Sequence, residues 1–110
     1  MSAVAEIVAP ERSLEQRMAA LKVANEVRSR KAELKRELRE NRMLILKAIC
    51  DPPVWLRNAK VEEILLATRG FGRVKVRNVM RAAEIAPSKT VGGITDRQRV
   101  LLLRRLRDRL

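Results

Sequence analysis

The most informative part of the chain for its fold is the segment Thr68-Arg69-Gly70-Phe71-Gly72-Arg73-Val74-Lys75-Val76. Two glycines flank one aromatic residue, and residues of helical periodicity lie on both sides. Glycine lets the backbone turn sharply and approach a ligand closely, while Phe71 can hold the turn against a core. The stretch therefore predicts two helices joined by a compact turn.

Apolar residues recur at helical spacing on both sides of this turn. Those that share a face before the turn are Val61, Ile64, Leu65 and Thr68, and those after it are Val76, Val79, Met80 and Ala83. We expect Asn58 to cap the first of these helices. A last helix, capped by Thr95 or Asp96, extends to Leu110 and carries leucines around most of its circumference, which predicts a place at the centre of the core.

A long helix is predicted over residues 13–42, since this segment lacks Gly and Pro and is rich in strong helix formers. Ser13 and Gln16 have the spacing of a capping box. The helix carries two apolar stripes on roughly opposite sides. The first consists of Leu14, Met18 and Leu21, and the second of Val23, Val27, Leu34 and Leu38. We predict that the first stripe docks reversibly on the rest of the protein, as a lid.

The rest of the chain divides around this helix. Residues 1–12, with Pro10 near their end, are predicted to be a flexible tail, and residues 43–110 a compact helical domain. Within that domain the apolar run Met43–Ile49 predicts a short buried helix, which Asp51-Pro52-Pro53 ends. The predicted fold class is all-α, with a long N-terminal helix followed by a compact domain.

The chain is strongly basic, with 25 Lys and Arg against 13 Asp and Glu and a net charge of +12 at pH 7. Residues 69–110 hold twelve of the Lys and Arg but three of the Asp and Glu, so the excess is concentrated in the C-terminal part. Such a charge attracts polyanions. Nucleic acid is therefore the first candidate partner, and an anionic membrane surface is the second.

The backbone that follows the two glycines is suited to an anion. The N–H groups of Gly72, Arg73 and Val74 open a helix, so they lack intrahelical partners and lie at the positive end of the helix dipole. Such an arrangement favours a phosphate. Arg73 and Lys75 add positive charge, which indicates a phosphate-binding turn.

The long helix carries a second basic group. Arg28, Arg36 and Arg39 share a face with Lys35, while its glutamates lie on another face. This segregation indicates either a basic binding surface or a solvated helix face with i,i+4 ion pairs.

The composition excludes most catalytic chemistry. The chain has no His, no Gly-Lys-Thr phosphate loop and no Gly-x-Ser-x-Gly elbow, so we expect neither an enzyme nor a bound metal or cofactor. A lone Cys50 forbids an intramolecular disulfide, and its apolar neighbours predict a small buried thiol. Because a signal peptide and a run of ~20 apolar residues are both lacking, we expect a cytoplasmic protein with no membrane partner.

Several motifs in order resemble a known family. They include, before the turn, Ala32-Glu33-Leu34-Lys35 and Lys60-Val61, and after it Glu84-Ile85-Ala86-Pro87, Val91 and Ile94-Thr95-Asp96-Arg97-Gln98-Arg99. Together with the turn they resemble the helix–two-turns–helix domain of a ribosomal small-subunit protein and of formamidopyrimidine-type DNA glycosylases. Over residues 14–106 the chain more closely resembles the actinobacterial integration host factor family. The resemblance implies a helix–two-turns–helix domain, similar to a helix-hairpin-helix.

The resemblance also implies a function. Members of this family are nucleoid-associated proteins, which bind duplex DNA through its backbone. Because phosphate contacts carry no base code and the chain has no obvious recognition helix, we expect little sequence preference. Family members affect DNA compaction and topology and assist site-specific recombination, so recombinase complexes on DNA are further expected partners. We expect a monomer in solution, located in the cytoplasm at the nucleoid.

The family's phosphate-binding turn corresponds in this chain to Arg69, Gly70, Phe71, Gly72, Arg73 and Lys75. The further DNA-binding residues that we predict are Val74, through its N–H, and the cations Arg77, Arg81, Lys89, Arg28 and Arg36. A second DNA contact of the family lies after the proline, at residues 88–92, where this chain has Lys89 as its cation. That contact is either weaker here or moved to residues such as Arg97 and Arg99.

Two other functions stay open. A ribosomal-type RNA-binding protein would use the same fold, although Trp55 and Phe71 are few aromatic platforms for RNA bases, and the basic C-terminal tail of the ribosomal relative is lacking. A helical protein–protein interaction module would use the long helix as a coiled coil. The apolar stripes of that helix change sides after Leu21, which breaks a long heptad seam.

Overall fold

The computed structural model describes residues 13–110, which form five α-helices and two 3-10 turns. The helices are α1 (Leu14–Glu40), α2 (Leu44–Cys50), α3 (Val61–Ala67), α4 (Arg73–Ala82) and α5 (Asp96–Arg109), and the 3-10 turns are Val54–Leu56 and Val91–Gly93. No strand occurs in this part of the chain, where Lys60 and Thr90 form an isolated bridge. The all-α fold, a long N-terminal helix followed by a compact helical domain, is confirmed. The predicted tail, residues 1–12, lies outside the described residues.

Helix α1 begins at the predicted capping box. The Gln16 N–H donates to the Ser13 hydroxyl over 3.2 Å, and the Ser13 N–H donates to the Gln16 side-chain oxygen over 2.9 Å. The helix ends at Glu40, two residues before the predicted end, because Asn41 is extended, with φ −137° and ψ 96°. Its 27 residues correspond to a length of about 40 Å at 1.5 Å per residue.

The first stripe of α1 is not docked on the domain. Leu14, Met18 and Leu21 are 70%, 61% and 59% exposed, on the same continuous helix whose second stripe enters the core at Leu38. The predicted lid is therefore not formed in the structure. The lid was predicted to dock reversibly, and its docked form stays a prediction.

The core lies between the C-terminal half of α1 and helices α2–α5. Its largest fully buried side chains are Leu38, Ile45, Ile49, Leu56, Val61, Ile64, Leu65, Val76, Val79, Val91, Leu102 and Leu106. Both stripes predicted around the turn are confirmed, since each of their eight members is buried. The predicted short buried helix after Met43 is also confirmed, as α2.

Helix α5 is less central than its leucines predict. It packs on α2 and α4 and fully buries Leu102 and Leu106, whereas Val100 is exposed and Leu101 and Leu103 are half-buried. The predicted place in the core is confirmed for Leu102 and Leu106, and Leu101 and Leu103 pack against the core, whereas the exposed Val100 shows that the apolar contacts do not extend around most of the helix.

The two predicted helix caps have different outcomes. Thr95 caps α5, with its hydroxyl accepting from the Gln98 N–H over 3.1 Å. Asn58 does not cap α3, which begins one residue after Lys60. The start of α3 is fixed instead by the later loop, because the Val61 N–H donates to the Lys89 carbonyl over 3.1 Å.

Cys50 is exposed, so the predicted buried thiol is wrong. It is the last residue of α2, whose inward face is formed by the preceding residues Ala48 and Ile49. One further residue rotates the side chain by about 100°, out of the core.

An ion-pair network connects α1 to α3. The Lys35 ammonium donates to one Glu63 oxygen over 2.5 Å, and the Lys31 ammonium lies 3.6 Å from the other. The hydrogen bond from Lys35 lowers the pKa of Glu63 below its ordinary value of 4.5, and the charge of Lys31 adds to the effect. Lys35 therefore serves the fold and is not part of a free basic face.

This network makes stability sensitive to acid. Because the pKa of Glu63 is lower in the folded than in the unfolded chain, its contribution is complete above pH 4.5 and is lost as the pH falls below that value. We expect Glu63→Gln to lower Tm by a few degrees at pH 7 and by much less at pH 3, since a partly exposed pair stabilises by at most about 1 kcal/mol. Thermal unfolding of both proteins at both pH values checks this. An equal Tm difference at pH 3 and pH 7 would contradict it.

Helix α4 ends at Ala82 and is followed, two residues later, by a residue in the left-handed region, Glu84, with φ 59°. The Ile85 N–H donates to the Met80 carbonyl and the Glu84 N–H to the Arg81 carbonyl, which together form a Schellman motif. Glycine is usual at this position, because a side chain there costs roughly 1–2 kcal/mol.

We expect Glu84→Gly to raise the free energy of unfolding by about 1 kcal/mol, since the greater freedom of glycine in the unfolded chain offsets part of the relief. Urea unfolding measures the change. Glu84→Ala is the matched control, because it removes the same carboxylate but keeps the strained Cβ. If Glu84→Ala stabilises as much as Glu84→Gly, charge and not backbone conformation is responsible.

Candidate nucleic-acid interface

The turn between α3 and α4 is fixed by backbone hydrogen bonds from both sides. The Phe71 N–H donates to the Thr68 carbonyl over 3.1 Å, and the buried Thr68 hydroxyl donates to the Ile64 carbonyl over 3.0 Å. The Arg69 N–H donates to the Leu38 carbonyl of α1 over 3.1 Å. The turn is therefore attached to the C-terminal part of the long helix as well as to its own two helices.

Phe71 and Lys75 stabilise the turn together. Phe71 is buried in the core, as predicted. The Lys75 ammonium lies 4.8 Å from the centre of its ring and donates to the Gly70 carbonyl over 3.3 Å. A cation at that distance from an aromatic face is attracted to the ring. The contact keeps the ammonium next to the turn.

The two glycines of the turn differ in backbone conformation. Gly70 has φ +83°, which a residue with a side chain rarely adopts. Gly72 has φ −85° and ψ 176°, an ordinary extended conformation, and apart from its two chain neighbours no described residue has an atom within 4 Å of the position that a Cβ would take. Neither backbone strain nor packing explains Gly72. Gly72 is exposed, and the space beside it is open.

Gly72 also leaves the start of α4 uncapped. It is the N-cap residue of the helix and has no side chain that could accept a hydrogen bond from the first turn. The first backbone hydrogen bond runs from the Val76 N–H to the Gly72 carbonyl over 3.0 Å. The N–H groups of Arg73, Val74 and Lys75 therefore have no partner within the helix. Open donors beside an open space are suited to an anion.

Sequence reasoning missed Arg42, which the structure brings to this turn. Its guanidinium lies 3.7 Å from the position that a Cβ on Gly70 would occupy, and Arg42 and Arg69 line the same shallow depression. We call Arg42, Arg69, Arg73 and Lys75 the turn cluster. The sequence contains no signal for the first member, because 27 residues separate Arg42 from Arg69 and only the packing of α1 brings them together.

Three further predicted cations lie outside the turn cluster. Arg77 and Arg81 are exposed on α4, where they line a groove that also contains Glu62 and Glu84. Those carboxylates reduce the positive potential of the groove. Lys89 is exposed in the loop before the second 3-10 turn, and its carbonyl accepts the hydrogen bond that starts α3.

The structure also locates the predicted cations of the long helix. Arg28 and Arg36 are exposed on α1. The α1 carbonyl that contacts the turn belongs to Leu38, ten residues after Arg28, which is about 15 Å along the helix axis. Arg28 is therefore remote from the turn, and Arg36 is the nearer of the two.

The last helix offers fewer free cations than its sequence indicates. The guanidinium of Arg99 donates to the Ile49 carbonyl over 2.6 Å and to the Val91 carbonyl over 3.2 Å. Arg97 pairs with Glu84 over 3.3 Å. Arg99 thus satisfies carbonyls at the end of α2 and in the second 3-10 turn, so a second ligand contact through it is not supported.

Residues 13–110 contain neither a cluster of metal-binding side chains nor a helix that could cross a membrane. Within this range no three His, Cys, Asp or Glu side chains are grouped so that they could hold a metal ion. None of the described helices is long and apolar enough to cross a membrane.

Comparison with known proteins identifies the family. Residues 51–106 match the model of the S13-like H2TH domain. A protein named integration host factor from Mycolicibacterium smegmatis (strain ATCC 700084 / mc(2)155) is 36% identical over 96 residues, which cover 86% of this chain and 91% of that protein. The chain belongs to the integration host factor family.

A second relative and a solved structure extend this result. The integration host factor of Mycobacterium tuberculosis (strain ATCC 25618 / H37Rv) is 39% identical over 97 residues, with the same coverage of both chains. The structure of sIHF bound to an 8-bp palindromic DNA has a TM-score of 0.63 at 24% identity, and the match covers 76% of this chain and 96% of that one. Our integration host factor family protein therefore has the same fold as sIHF.

Proposed function

We propose that this protein is a nucleoid-associated protein that binds duplex DNA through backbone phosphates at the turn cluster, with little sequence preference. The observation that carries the proposal is Gly72, a glycine without a conformational or packing reason, beside the open N–H groups of α4. A phosphate oxygen can approach that backbone, and Arg42, Arg73 and Lys75 supply positive charge around it. The relative whose fold this chain shares is described in complex with DNA, which supports the same ligand class.

The residues of the site favour weak sequence preference. The proposed donors are backbone N–H groups and cations, and contacts of this kind to phosphates position a protein on DNA without reading bases. Arg77, Arg81 and Lys89 extend the contact along the backbone, and Arg28 and Arg36 contribute to attraction at longer range. What selectivity remains would come from DNA shape and deformability.

Binding of this kind suits a protein that acts on the nucleoid. The protein would be a monomer in solution, and many bound copies would alter the compaction and topology of DNA in the cytoplasm. Bent or constrained DNA would also assist site-specific recombinases. Recombinase complexes on DNA are therefore further proposed partners. The named relatives support this role, since both carry the name integration host factor.

Competition binding tests the proposed function. A labelled 20-bp duplex is bound to the protein and displaced by unrelated duplex DNAs, by duplex RNA and by single-stranded RNA of equal length. We expect all duplex DNAs to compete about equally and both RNAs to compete poorly. The logarithm of the binding constant should fall with the logarithm of salt concentration by about 0.9 for each phosphate contacted. A flat salt response, or better competition by RNA, would contradict the proposal.

A further inference from the structure

The exposed first half of α1 has the pattern of a short coiled-coil seam. Leu14, Met18, Leu21 and Asn25 follow one another at intervals of four, three and four residues, which are the a and d positions of a heptad. The three apolar side chains are each more than half exposed. Val23, which is equally exposed, lies on the opposite side of the helix.

The domain does not use this seam. Contacts from α1 to the domain involve the other stripe, with Leu38 buried, Leu34 packed against the core and Lys35 paired with Glu63. At about 100° per residue, the seam points roughly 140° away from that stripe. None of the described residues covers the seam, so among residues 13–110 it is open to another molecule while the turn cluster at the other end of α1 is occupied.

The charges beside the seam favour one of the two orientations, parallel or antiparallel, in which a second copy of the helix could pack against it. In a parallel pair, Arg17 would face Lys22 of the second copy, which is repulsive. In an antiparallel pair with Met18 packed against Leu21 of the second copy, Glu15 faces Lys22 of the second copy. Symmetry makes that attraction occur twice. The charge pattern thus selects the antiparallel arrangement.

The seam is too short to hold two free copies together. It has three apolar residues per copy and continues into the polar Asn25 and the charged Arg28, whereas a stable interface has about 20–30 residues on each side. Two copies bound to neighbouring DNA segments have a much higher effective concentration, on the order of millimolar. Pairing would therefore occur on DNA and leave the protein monomeric in dilute solution.

We propose that two DNA-bound copies pair through antiparallel contacts between residues 14–25 of their α1 helices and so bridge two duplexes. The proposal rests on the proposed function, because the duplexes are held by the turn clusters. Each copy would bind DNA at one end of α1 and its partner copy at the other.

A bridging assay tests the pairing. One long duplex that binds many copies is fixed to magnetic beads, a second of the same length carries a fluorophore, and the fluorescence captured by the protein is measured, so that many seams act together between the two duplexes. Binding to a single duplex is measured separately by anisotropy. We expect Leu21→Ser to reduce bridging at least about tenfold, since each pair loses two buried side chains, and to leave single-duplex affinity unchanged. Val23→Ser is the matched control, with the same 59% exposure on the opposite side, and should bridge normally.

Charge changes test the orientation. Lys22→Glu should weaken bridging, because it places a second carboxylate opposite Glu15 of the other copy. Glu15→Lys combined with Lys22→Glu should restore it at unchanged net charge. In a parallel pair Lys22→Glu would instead strengthen bridging, because the new carboxylate would face Arg17 of the second copy.

The outcomes separate this proposal from the proposed function. If the wild-type protein fails to bind a single duplex, the proposed function is wrong. If it binds but Leu21→Ser bridges as well as Val23→Ser, the pairing is wrong. Loss of single-duplex affinity in Leu21→Ser would show that the seam contacts DNA, and a lower Tm would show that the seam is covered by its own chain. Either result overturns the pairing.

Discussion

Gly72→Asp is expected to abolish binding to duplex DNA without harming the fold. A Cβ added to Gly72 meets no atom within 4 Å outside its two chain neighbours, and Asp at the N-cap of α4 would accept hydrogen bonds from the N–H groups that we assign to a phosphate. Its charge would also repel that phosphate. Two unit charges about 4 Å apart near a protein surface repel by about 4 kcal/mol before salt screening, so affinity should fall at least about a hundredfold.

The same substitution should slightly raise stability. Asp is a better N-cap than glycine by a few tenths of a kcal/mol. A variant that unfolds at an equal or higher temperature but no longer binds DNA separates the site from the fold. Circular dichroism with thermal unfolding gives the first measurement, and fluorescence anisotropy with a labelled duplex gives the second.

Two controls make this prediction specific. Asn78→Asp adds the same charge to an exposed position of α4, about 9 Å further along its axis, and should weaken binding far less. Arg28→Ala combined with Arg36→Ala tests the rival surface on α1. If Gly72→Asp is folded and binds normally, while the double arginine variant loses binding, the long helix is the DNA-binding element and our assignment is wrong.

Arg73→Ala combined with Lys75→Ala is expected to weaken binding to all duplex sequences about equally. Both cations belong to the turn cluster, and the substitutions leave the backbone N–H groups in place. Two fewer neutralised phosphates should make the log–log salt slope shallower by about 1.8 units. Titrations at four or more salt concentrations, with two unrelated duplexes, measure the slope for each protein.

A charge-matched variant controls for net charge. Arg104→Ala combined with Arg107→Ala removes two exposed cations from α5 and should change the slope much less than the turn variant. Because Lys75 also contacts the Phe71 ring, the fold of the turn variant must be verified by thermal unfolding. If both double variants change the slope equally, the protein attracts DNA by its overall charge and not by a site at the turn.

The local features of this protein follow directly from the order of its residues. The capping boxes at Ser13 and Thr95, the helix that follows Gly72 and the buried stripes on both sides of the turn all depend on residues within four positions of one another. Helix periodicity and capping act over that range, so the pattern specifies them directly. The family resemblance depended on the same ordered motifs.

The long-range partners of these residues were decided by packing. Cys50 and Val100 lie outside the core because neighbouring helices cover one side of α2 and α5, which periodicity cannot show. Arg99 is bound to two backbone carbonyls, and Arg42 reaches Gly70 because the Leu38 carbonyl of α1 accepts the Arg69 N–H. A cation serves the fold or a ligand according to the acceptors that packing places beside it, and these acceptors are distant in sequence.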